Sequence, residues 1–272
     1  MADRAVPAEI AQELLGLLGA GRQVEPLTAR FPRFGLADAY AASAALTALR
    51  EARGERPVGR KIGFTNRAVW SGHGISGPIH APMFDTTVRQ AAGEAGTFDL
   101  AGLPEPRIEP ELVLHLARPP TPGMDEAALF GCVDRVAHGF EVVFSIYPGW
   151  RFGAADAAAA YGVHAGLVLG PWHEVDDDRA GWFDALSRFG VRLARHGGTE
   201  VEGHARNVLG GPLSALRFLV EEIARFPATR PIAPGEIVTT GTLTEAMPAI
   251  PGETWRSAFS GIPLEGLALT FR

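Results

Sequence analysis

The sequence has almost no lysine and almost no cysteine. Lys61 is the only lysine, so arginine supplies nearly all of the positive charge among the 25 basic residues. Cys132 is the only cysteine, which excludes a disulfide within the chain and a zinc site built from several cysteines. No apolar run approaches about 18 residues, so the sequence predicts no transmembrane helix.

A strongly basic surface and a targeting signal are also missing. The net charge is −6, and no run of arginine and lysine forms a basic stripe, which argues against nucleic acid as a partner. The first ten residues, MADRAVPAEI, contain no apolar segment of the kind found in secretory signals. We therefore expect a cytoplasmic protein that binds neither nucleic acid nor a membrane.

What remains is an ordinary globular composition. The 272 residues are 46% hydrophobic and 21% charged, enough for one large domain, or a large domain with a small helical attachment. Residues 7–20 and 36–53 have helical spacing of apolar residues, so residues 1–56 are predicted to form an N-terminal helical region. Residues 57–272 are predicted to form a β-rich catalytic domain, and the fold class is α+β.

Short apolar segments separated by glycine and proline predict the elements of the second region. Helices are expected at 124–133 and 211–226. Residues 86–100 are expected to form part of a β-hairpin. Further strands are expected at 57–65, 107–117, 136–146, 164–175, 235–244 and 264–271, and a strand pair at 189–205 with its turn at Gly197–Gly198.

Three glutamates lie in segments that should be buried. Residues i and i+2 of a strand project to the same face, so Glu109 and Glu111 in RIEPELVLHL point the same way. Glu141 lies in a second apolar segment, GFEVVFS. Buried like charges need a neutralising divalent metal, an arginine pair or shared protons, unless these glutamates lie on a solvated face beside Arg107. Carboxylates select hard cations such as Mg²⁺ or Mn²⁺.

Four segments, in this order and spacing, resemble one known superfamily. They are GRKIGFT (59–65), RIEPELVL (107–114), GFEVVFS (139–145) and GEIVTTGTLT (235–244). Together they resemble the fumarylacetoacetate hydrolase superfamily, nearest its branch of 2-keto-4-pentenoate hydratases and 4-oxalocrotonate decarboxylases. The resemblance implies a mixed β-sheet roll with an N-terminal helical region, assembled as dimers or larger homo-oligomers.

The resemblance also implies roles for individual residues. Glu109, Glu111 and Glu141 would hold one Mg²⁺ or Mn²⁺ ion. Lys61 would be catalytic, either as a proton relay with a lowered pKa or by holding the substrate carboxylate or an acidic ligand. The turn that contains Thr242, Leu243 and Thr244 would lie beside the substrate carboxylate.

Two segments depart from the family pattern and supply further candidates. GPIHAPMFD (77–85) has Ile79 and His80 where relatives have Asp and Phe, and AAYGVHAGLVLG (159–170) has Tyr161 and His164 at altered positions. Because histidine titrates near neutral pH, His80 and His164 are candidate replacement proton shuttles. The alternative for each is a packing or surface role.

Other residues near these segments have weaker assignments. Arg151, between Trp150 and Phe152, is expected to bind a second carboxylate of a diacid substrate or to be an ordinary loop arginine. His138 is a candidate partner of Glu141, and Cys132 is expected to be a small buried residue.

These features predict a metal-dependent lyase that acts on a short unsaturated 2-keto acid or 2-hydroxydienoate. Hydration of a 2-hydroxypenta-2,4-dienoate-like substrate is the leading expectation. The alternatives are a 4-oxalocrotonate-type decarboxylase, an acylpyruvate C–C hydrolase, or a non-catalytic partner subunit, because hydratases and decarboxylases of this branch associate with each other.

Overall fold

The computed structural model describes residues 6–272 and combines helices with two mixed β-sheets. The helices are α1 (Pro7–Leu17), α2 (Leu27–Arg30), α3 (Leu36–Ala52), α4 (Trp70–His73), α5 (Glu126–Phe130), α6 (Ala154–Ala159), α7 (Arg179–Ala185) and α8 (Pro212–Arg225). Short 3₁₀ turns lie at Arg67–Val69, Pro148–Trp150, Tyr161–Val163, Asp176–Asp178 and Ala205–Asn207.

The chain passes back and forth between the two sheets and adds one to three consecutive strands to a sheet each time. They are β1 (Pro57–Gly63), β2 (Ile79–Phe84), β3 (Val88–Gln90), β4 (Ala95–Phe98), β5 (Arg107–Leu116), β6 (Val133–Val143), β7 (His164–Glu174), β8 (Gly190–Arg195), β9 (Glu200–His204), β10 (Ile237–Thr242), β11 (Met247–Pro248), β12 (Thr254–Ser260) and β13 (Ala268–Phe271). The larger sheet has the order β2-β1-β10-β5-β6-β7-β3, with β11 on β5, and the smaller has the order β4-β13-β12-β8-β9.

The centre of the larger sheet is formed by three long apolar strands. β5 pairs with β6, and β6 with β7, in antiparallel register, while β1 runs parallel to β10. One face of β5 carries Leu112, Leu114 and Leu116, which pack in a core that also contains Leu216 and Leu219 of α8. Because side chains alternate along a strand, the other face of β5 carries the glutamates.

The N-terminal helices pack against a later part of the chain. Ile10 and Leu14 of α1 share a core with Tyr40 and Leu46 of α3, and this core also includes the alanines of α6. Small alanine side chains allow close approach between helices, which explains the alanine-rich segment 154–160. α6 is thereby fixed beside the segment 161–163, which reaches the site described below.

The structure confirms the α+β class, and every predicted helix is present within two or three residues of its expected ends, apart from the shorter α5. The hairpin at 86–100 is wrong, because β3 pairs with β7 of the larger sheet and β4 with β13 of the smaller sheet. The chain therefore crosses from one sheet to the other between β3 and β4. The pairing between the two halves of this segment is an isolated bridge from Ala92 to Ala95. Strands β2, β11 and β12 and helices α2, α4, α6 and α7 were not predicted.

The proposed division at residues 56 and 57 coincides with the start of β1 but stays a prediction. The first five residues of the proposed N-terminal region lie outside the described part of the chain. Within residues 6–272, no helix is both long and apolar enough to cross a lipid bilayer.

Candidate active site

Strand register brings the three predicted glutamates together. Glu109 of β5 lies directly opposite Glu141 of β6, and Glu111 is two residues further along the same face of β5. One carboxylate oxygen from each residue lies within 4.8 Å of the other two. Glu111 and Glu141 are fully buried, whereas Glu109 is partly exposed and lines a cavity.

Each of the two buried carboxylates has one oxygen with a hydrogen-bond partner and one without. Oε2 of Glu111 accepts a hydrogen bond from the backbone N–H of Gly241 at 2.7 Å, and Oε1 of Glu141 is 2.8 Å from Nδ1 of His164. The other two oxygens, Oε1 of Glu111 and Oε2 of Glu141, are buried and have no hydrogen-bond partner among the described residues. An unpaired buried charge is costly, so this arrangement calls for a cation.

Lys61 of β1 supplies one positive charge to the cluster. Its Nζ donates a hydrogen bond to the carbonyl of Gly162 at 2.9 Å and lies 3.4 Å from Oε1 of Glu141. Gly162 has φ +59°, and a Cβ there would lie 2.8 Å from Cδ of Lys61. Glycine is therefore required at this position, and the segment 161–163 fixes the lysine by its backbone.

Burial and mutual repulsion set the acidity of the carboxyl groups. Burial, and then the neighbouring Glu141 charge, raise the pKa of Glu111 well above its usual range. Burial also raises the pKa of Glu109 to about 7, against the opposing effect of Lys61. Burial acts on Glu141 in the same direction, but the Lys61 ammonium and the His164 hydrogen bond outweigh it and lower the pKa of Glu141 to about 2.

The three carboxylates act on the acidity of Lys61. Burial alone would lower the pKa of Lys61, but the charges of Glu141, Glu109 and Glu111 outweigh burial and raise it. Without a bound cation, Lys61 is therefore the ammonium that compensates the carboxylates. Its expected role as a proton relay with a lowered pKa stays a prediction.

The cluster fits a hard divalent cation. Three carboxylates with one ammonium leave an excess of negative charge when ionised, and a dication would neutralise it. The donors are all oxygens, and two of them are buried without partners. These are the ligands that Mg²⁺, Mn²⁺ and Ca²⁺ prefer, whereas the described residues place no cysteine or histidine nitrogen in this group.

The cluster opens into a cavity of about 780 Å³ whose walls carry strained backbone. Among residues 6–272, six residues other than glycine have a positive φ, and four of them, Phe64, Trp150, Val163 and Leu209, line this cavity. Such conformations each cost about 1–3 kcal/mol and are found mainly where function requires them. The strain is thus concentrated at the wall of the cavity that contains Lys61 and Glu109.

The far wall of the cavity carries groups that the sequence did not reveal. Arg67 lies in the 3₁₀ turn after β1, and Arg206 lies in the 3₁₀ turn between β9 and α8. The two segments are joined by a hydrogen bond from the N–H of Leu209 to the carbonyl of Thr65, at 3.1 Å. Neither guanidinium forms a salt bridge with a carboxylate of residues 6–272.

The predicted substrate-binding turn reaches the cavity through two of its three residues. Thr242 and Thr244 line the cavity, but the side chain of Leu243 is fully buried in the core beneath α8. The carbonyl of Leu243 accepts a hydrogen bond from Nδ2 of Asn207 at 2.9 Å. Leu243 therefore anchors the turn and does not contact the cavity with its side chain.

Arg151 lies outside this cavity, although its two neighbours line it. Trp150 and Phe152 contribute to the wall, whereas Arg151 is exposed and folds toward Gly149. This placement favours the alternative of an ordinary loop arginine. The arginines that line the cavity without a salt bridge are instead Arg206 and Arg67, and the guanidinium of Arg67 lies 5.0 Å from the centre of the Phe218 ring.

The two candidate histidines occupy different places. His164 is buried between Glu141 and Thr87. Its Nδ1 lies 2.8 Å from Oε1 of Glu141, and its Nε2 lies 3.0 Å from Oγ1 of Thr87, so it orients a carboxylate and does not face the cavity. His80 pairs with Ile62 in the β1–β2 ladder, on the opposite face from Lys61. It stacks on Tyr40 with ring centroids 4.5 Å apart, and the structure does not bring it to the acidic cluster.

His138 supports Glu111, not Glu141 as expected. Its Nδ1 lies 3.0 Å from the carbonyl oxygen of Glu111, and its Nε2 lies 2.7 Å from Oγ of Ser257. Burial lowers the pKa of His138 to about 4, so the ring is neutral and fixes the β5 backbone. Cys132 is buried in the core, as expected.

Comparison with known proteins shows relatives over almost the whole chain. The chain is 30% identical over 257 residues to a 2-keto-4-pentenoate hydratase of Paraburkholderia xenovorans (strain LB400), which covers 93% of this chain and 91% of the relative. It is 30% identical over 209 residues to a 4-oxalocrotonate decarboxylase of Pseudomonas sp., which covers 76% of each chain. No protein-family model matches.

Two solved structures share the fold. The 4-oxalocrotonate decarboxylase from Pseudomonas putida G7, complexed with magnesium and adipate, superposes with a TM-score of 0.88 over 99% of this chain and 100% of the other, at 24% identity. The fumarylpyruvate hydrolase from Pseudomonas aeruginosa, in complex with Mn²⁺ and pyruvate, gives a TM-score of 0.58 over 79% and 89%, at 14% identity.

The sequence relatives define the chain as a lyase-type enzyme, and the structure combines the fold of the fumarylacetoacetate hydrolase superfamily with an acidic centre suited to a divalent metal. The chain belongs to the family of 2-keto-4-pentenoate hydratases and 4-oxalocrotonate decarboxylases. The expected superfamily, branch and fold class are thereby confirmed.

Proposed function

We propose that this chain is a metal-dependent hydratase that adds water to a short 2-hydroxydienoate, of the 2-hydroxypenta-2,4-dienoate type. One observation carries the proposal: three carboxylates and the only lysine of the chain converge at the inner end of a large cavity. The similarity to a hydratase over 93% of the chain supports the reaction class.

We further propose that Glu109, Glu111 and Glu141 hold Mg²⁺ or Mn²⁺. The two solved structures described above hold magnesium and Mn²⁺, respectively, which supports this choice. When bound, such an ion would supply a Lewis acid that polarises the 2-oxygen and the carboxylate of the substrate.

The residues of the chain would position the substrate and control charge. Lys61 lines the cavity as an ammonium, so it can donate a hydrogen bond to a substrate carboxylate at the inner end. Thr242 and Thr244 form the adjoining wall, and Asn207 holds their turn through the carbonyl of Leu243. His164 keeps Glu141 oriented by its 2.8 Å contact, which is the usual task of a residue behind a metal ligand.

Metal binding and turnover test this proposal directly. Protein freed of metal with a chelator should gain thermal stability when Mg²⁺ or Mn²⁺ is added, because a ligand that binds only the folded state stabilises it. The same metals should support the loss of 2-hydroxypenta-2,4-dienoate, followed by its ultraviolet absorbance. No metal-dependent stabilisation, or turnover unaffected by chelation, would contradict the proposal.

A second candidate function is decarboxylation of a 2-keto diacid of the 4-oxalocrotonate type. The specific observation in its favour is the pair of exposed guanidinium groups, Arg67 and Arg206, at the far wall of the cavity. Arginine binds carboxylates through paired hydrogen bonds, so these residues could hold the second carboxylate. Release of CO₂ from 2-oxohex-enedioate would distinguish this activity from hydration.

The alternatives of a C–C hydrolase and of a non-catalytic partner subunit make different predictions. A hydrolase would cleave an acylpyruvate into two acids, and a partner subunit would turn over neither substrate alone. The expected homo-oligomer, and a hydratase–decarboxylase complex, can be tested by light scattering of the purified protein. The cytoplasmic location stays a prediction.

A further inference from the structure

A second cavity lies on the opposite side of the β1–β2 strand pair from the acidic cluster. It has a volume of about 360 Å³ and is bounded by α3, β1, β2 and the segment 228–236 that leads into β10. Arg60, His80 and Glu236 are its central polar residues. A cavity of this size and mixed lining is large enough for a small ligand.

Side-chain alternation separates the two cavities by a single strand. Arg60 and Lys61 are consecutive in β1, so their side chains project to opposite faces. Pro82 pairs with Arg60, and His80 pairs with Ile62, which places both β2 residues on the face of Arg60. The second cavity is therefore a separate site that shares a wall with the first.

Arg60 is buried without a close partner. Its side chain is only 8% exposed, yet its contacts, to the carbonyls of Gly59 and Arg230 and to Glu236, are all between 3.4 and 3.5 Å. In contrast, exposed Arg230 nearby holds Glu51 by two hydrogen bonds of 2.6 and 2.8 Å. A guanidinium has five N–H donors, so Arg60 retains donors that can bind a ligand.

Two more polar atoms beside Arg60 have no hydrogen bond within the described chain. They are the buried Nε2 of His80 and Oε2 of Glu236, and the latter lies 3.5 Å from Nη1 of Arg60. His80 is 4% exposed and lines the cavity, and burial lowers its pKa to about 3, so the ring is neutral. Buried polar groups are normally paired, so two atoms without a hydrogen bond beside a loosely held guanidinium indicate a ligand that satisfies them.

We propose that this cavity binds a small carboxylic acid that carries a hydroxyl or ammonium group beside its carboxylate. The carboxylate pairs with Arg60, and the adjacent hydroxyl or ammonium donates to Oε2 of Glu236. The neutral His80 ring makes one further hydrogen bond. The apolar body of the ligand packs on Pro57, Pro82 and Pro231, which form rigid walls of the cavity.

Two probes of similar size distinguish the hydroxy acid from the amino acid. Mandelate and L-phenylalanine are each titrated into the metal-loaded full-length protein by calorimetry, up to about 10 mM. Saturable binding of either probe supports the site, and the probe that binds more tightly identifies the neighbouring group. Benzyl alcohol, which lacks the carboxylate, should bind at least about tenfold more weakly.

Variants assign the binding to this cavity. Arg60→Met should weaken binding of the probe by at least about tenfold, since it removes the carboxylate partner. Because Arg60→Met also leaves Glu236 without its cation and could unfold the protein, Ala44→Phe provides a second variant that fills the cavity and leaves every charge in place. Its fold is checked by circular dichroism.

Glu111→Gln at the acidic cluster is the matched control. A 2-hydroxy acid could also enter the metal site, and in that case Glu111→Gln would weaken binding while Ala44→Phe would leave it unchanged. Saturation by neither probe, or binding that Ala44→Phe leaves unchanged, would each overturn the proposal.

Discussion

The inner and outer ends of the first cavity are built in different ways. The inner end consists of Glu109, Glu111, Glu141 and Lys61, all of which lie on paired strands of the larger sheet. The outer end consists of exposed Arg67 and Arg206, which lie on single 3₁₀ turns. A side chain on a paired strand has its position fixed by register, whereas a side chain on a turn can be replaced or moved at small cost.

This difference suggests a division of labour. The inner end has the charge and the oxygen ligands that a common first chemical step would need. Its geometry is fixed by the hydrogen bonds of Glu111 with the N–H of Gly241, of Glu141 with His164, and of Lys61 with the carbonyl of Gly162. The outer end can select substrates by the groups that a loop presents. Substitutions at the two ends should therefore differ in kind: the inner ones reduce all turnover, and the outer ones change the preference between substrates.

The largest effect is expected for Glu111→Gln. Glu111 is fully buried, and its loss of charge removes one oxygen ligand while the amide nitrogen faces the remaining carboxylates. We expect kcat to fall by about 10³-fold, or about 4 kcal/mol, for every 2-keto acid that is turned over. Thermal stabilisation by Mg²⁺ should also be lost.

Glu174→Gln is the matched control for this substitution. Glu174 lies at the end of β7 with its side chain 66% exposed, and it is distant in register from the cluster. It should behave like the original protein. Normal turnover and normal Mg²⁺ binding in Glu111→Gln would show that the ligand assignment is wrong.

A smaller loss is expected for Lys61→Met. The substitution preserves the length of the side chain but removes the ammonium that compensates Glu141, so the carboxylates repel one another more strongly. We expect kcat/KM to fall by about 10²-fold for monoacid and diacid substrates alike. Steady-state kinetics with both substrates tests this, and a loss for only one of them would contradict an inner-end role.

The sequence was informative about the inner end because local rules define it. Alternation along β5 places Glu109 and Glu111 on one face, and the family resemblance supplies Glu141 and Lys61. Only register pairs Glu109 with Glu141, but two apolar strands that follow one another along the chain are commonly neighbours in a sheet. The acidic cluster was therefore predictable before the structure.

The outer end was not predictable, because it depends on tertiary contacts between distant turns. Nothing in the local pattern of GHARNVLGG indicates that Arg206 lies beside the segment after β1, joined there by the Leu209–Thr65 hydrogen bond. The position of His80 could not be predicted for a similar reason. The face of β2 follows from its pairing with β1, and neither the strand nor its register could be read from GPIHAPMFD.

Arg206→Met tests the outer end, where a moderate and selective effect is expected. If Arg206 binds a second carboxylate, kcat/KM should fall by about fivefold for a diacid such as 2-oxohex-enedioate, because an exposed ion pair is worth about 1 kcal/mol. The same variant should change little for 2-hydroxypenta-2,4-dienoate. Equal losses for both substrates would remove the distinction between the two ends.

The last prediction concerns stability instead of turnover, and a buried ionisable group that belongs to neither end. Burial, and then the charge of Arg60, lower the pKa of His80 to about 3, whereas a histidine in an unfolded chain titrates near 6.5. Above about pH 6.5 both states are neutral at this position, and His80 costs nothing. Between about pH 6.5 and 3 the unfolded state binds one more proton, so the free energy of unfolding decreases as the pH falls.

His80→Phe should remove this contribution while it keeps an aromatic ring stacked on Tyr40. Relative to the variant, the unmodified protein should lose up to about 1.4 kcal/mol of unfolding free energy for each pH unit below about 6.5. Urea unfolding at several pH values measures the difference, with exposed His204→Phe as the control. Parallel curves for all three proteins would mean that acid instability arises elsewhere, and the acidic cluster at the inner end would then be the first region to examine.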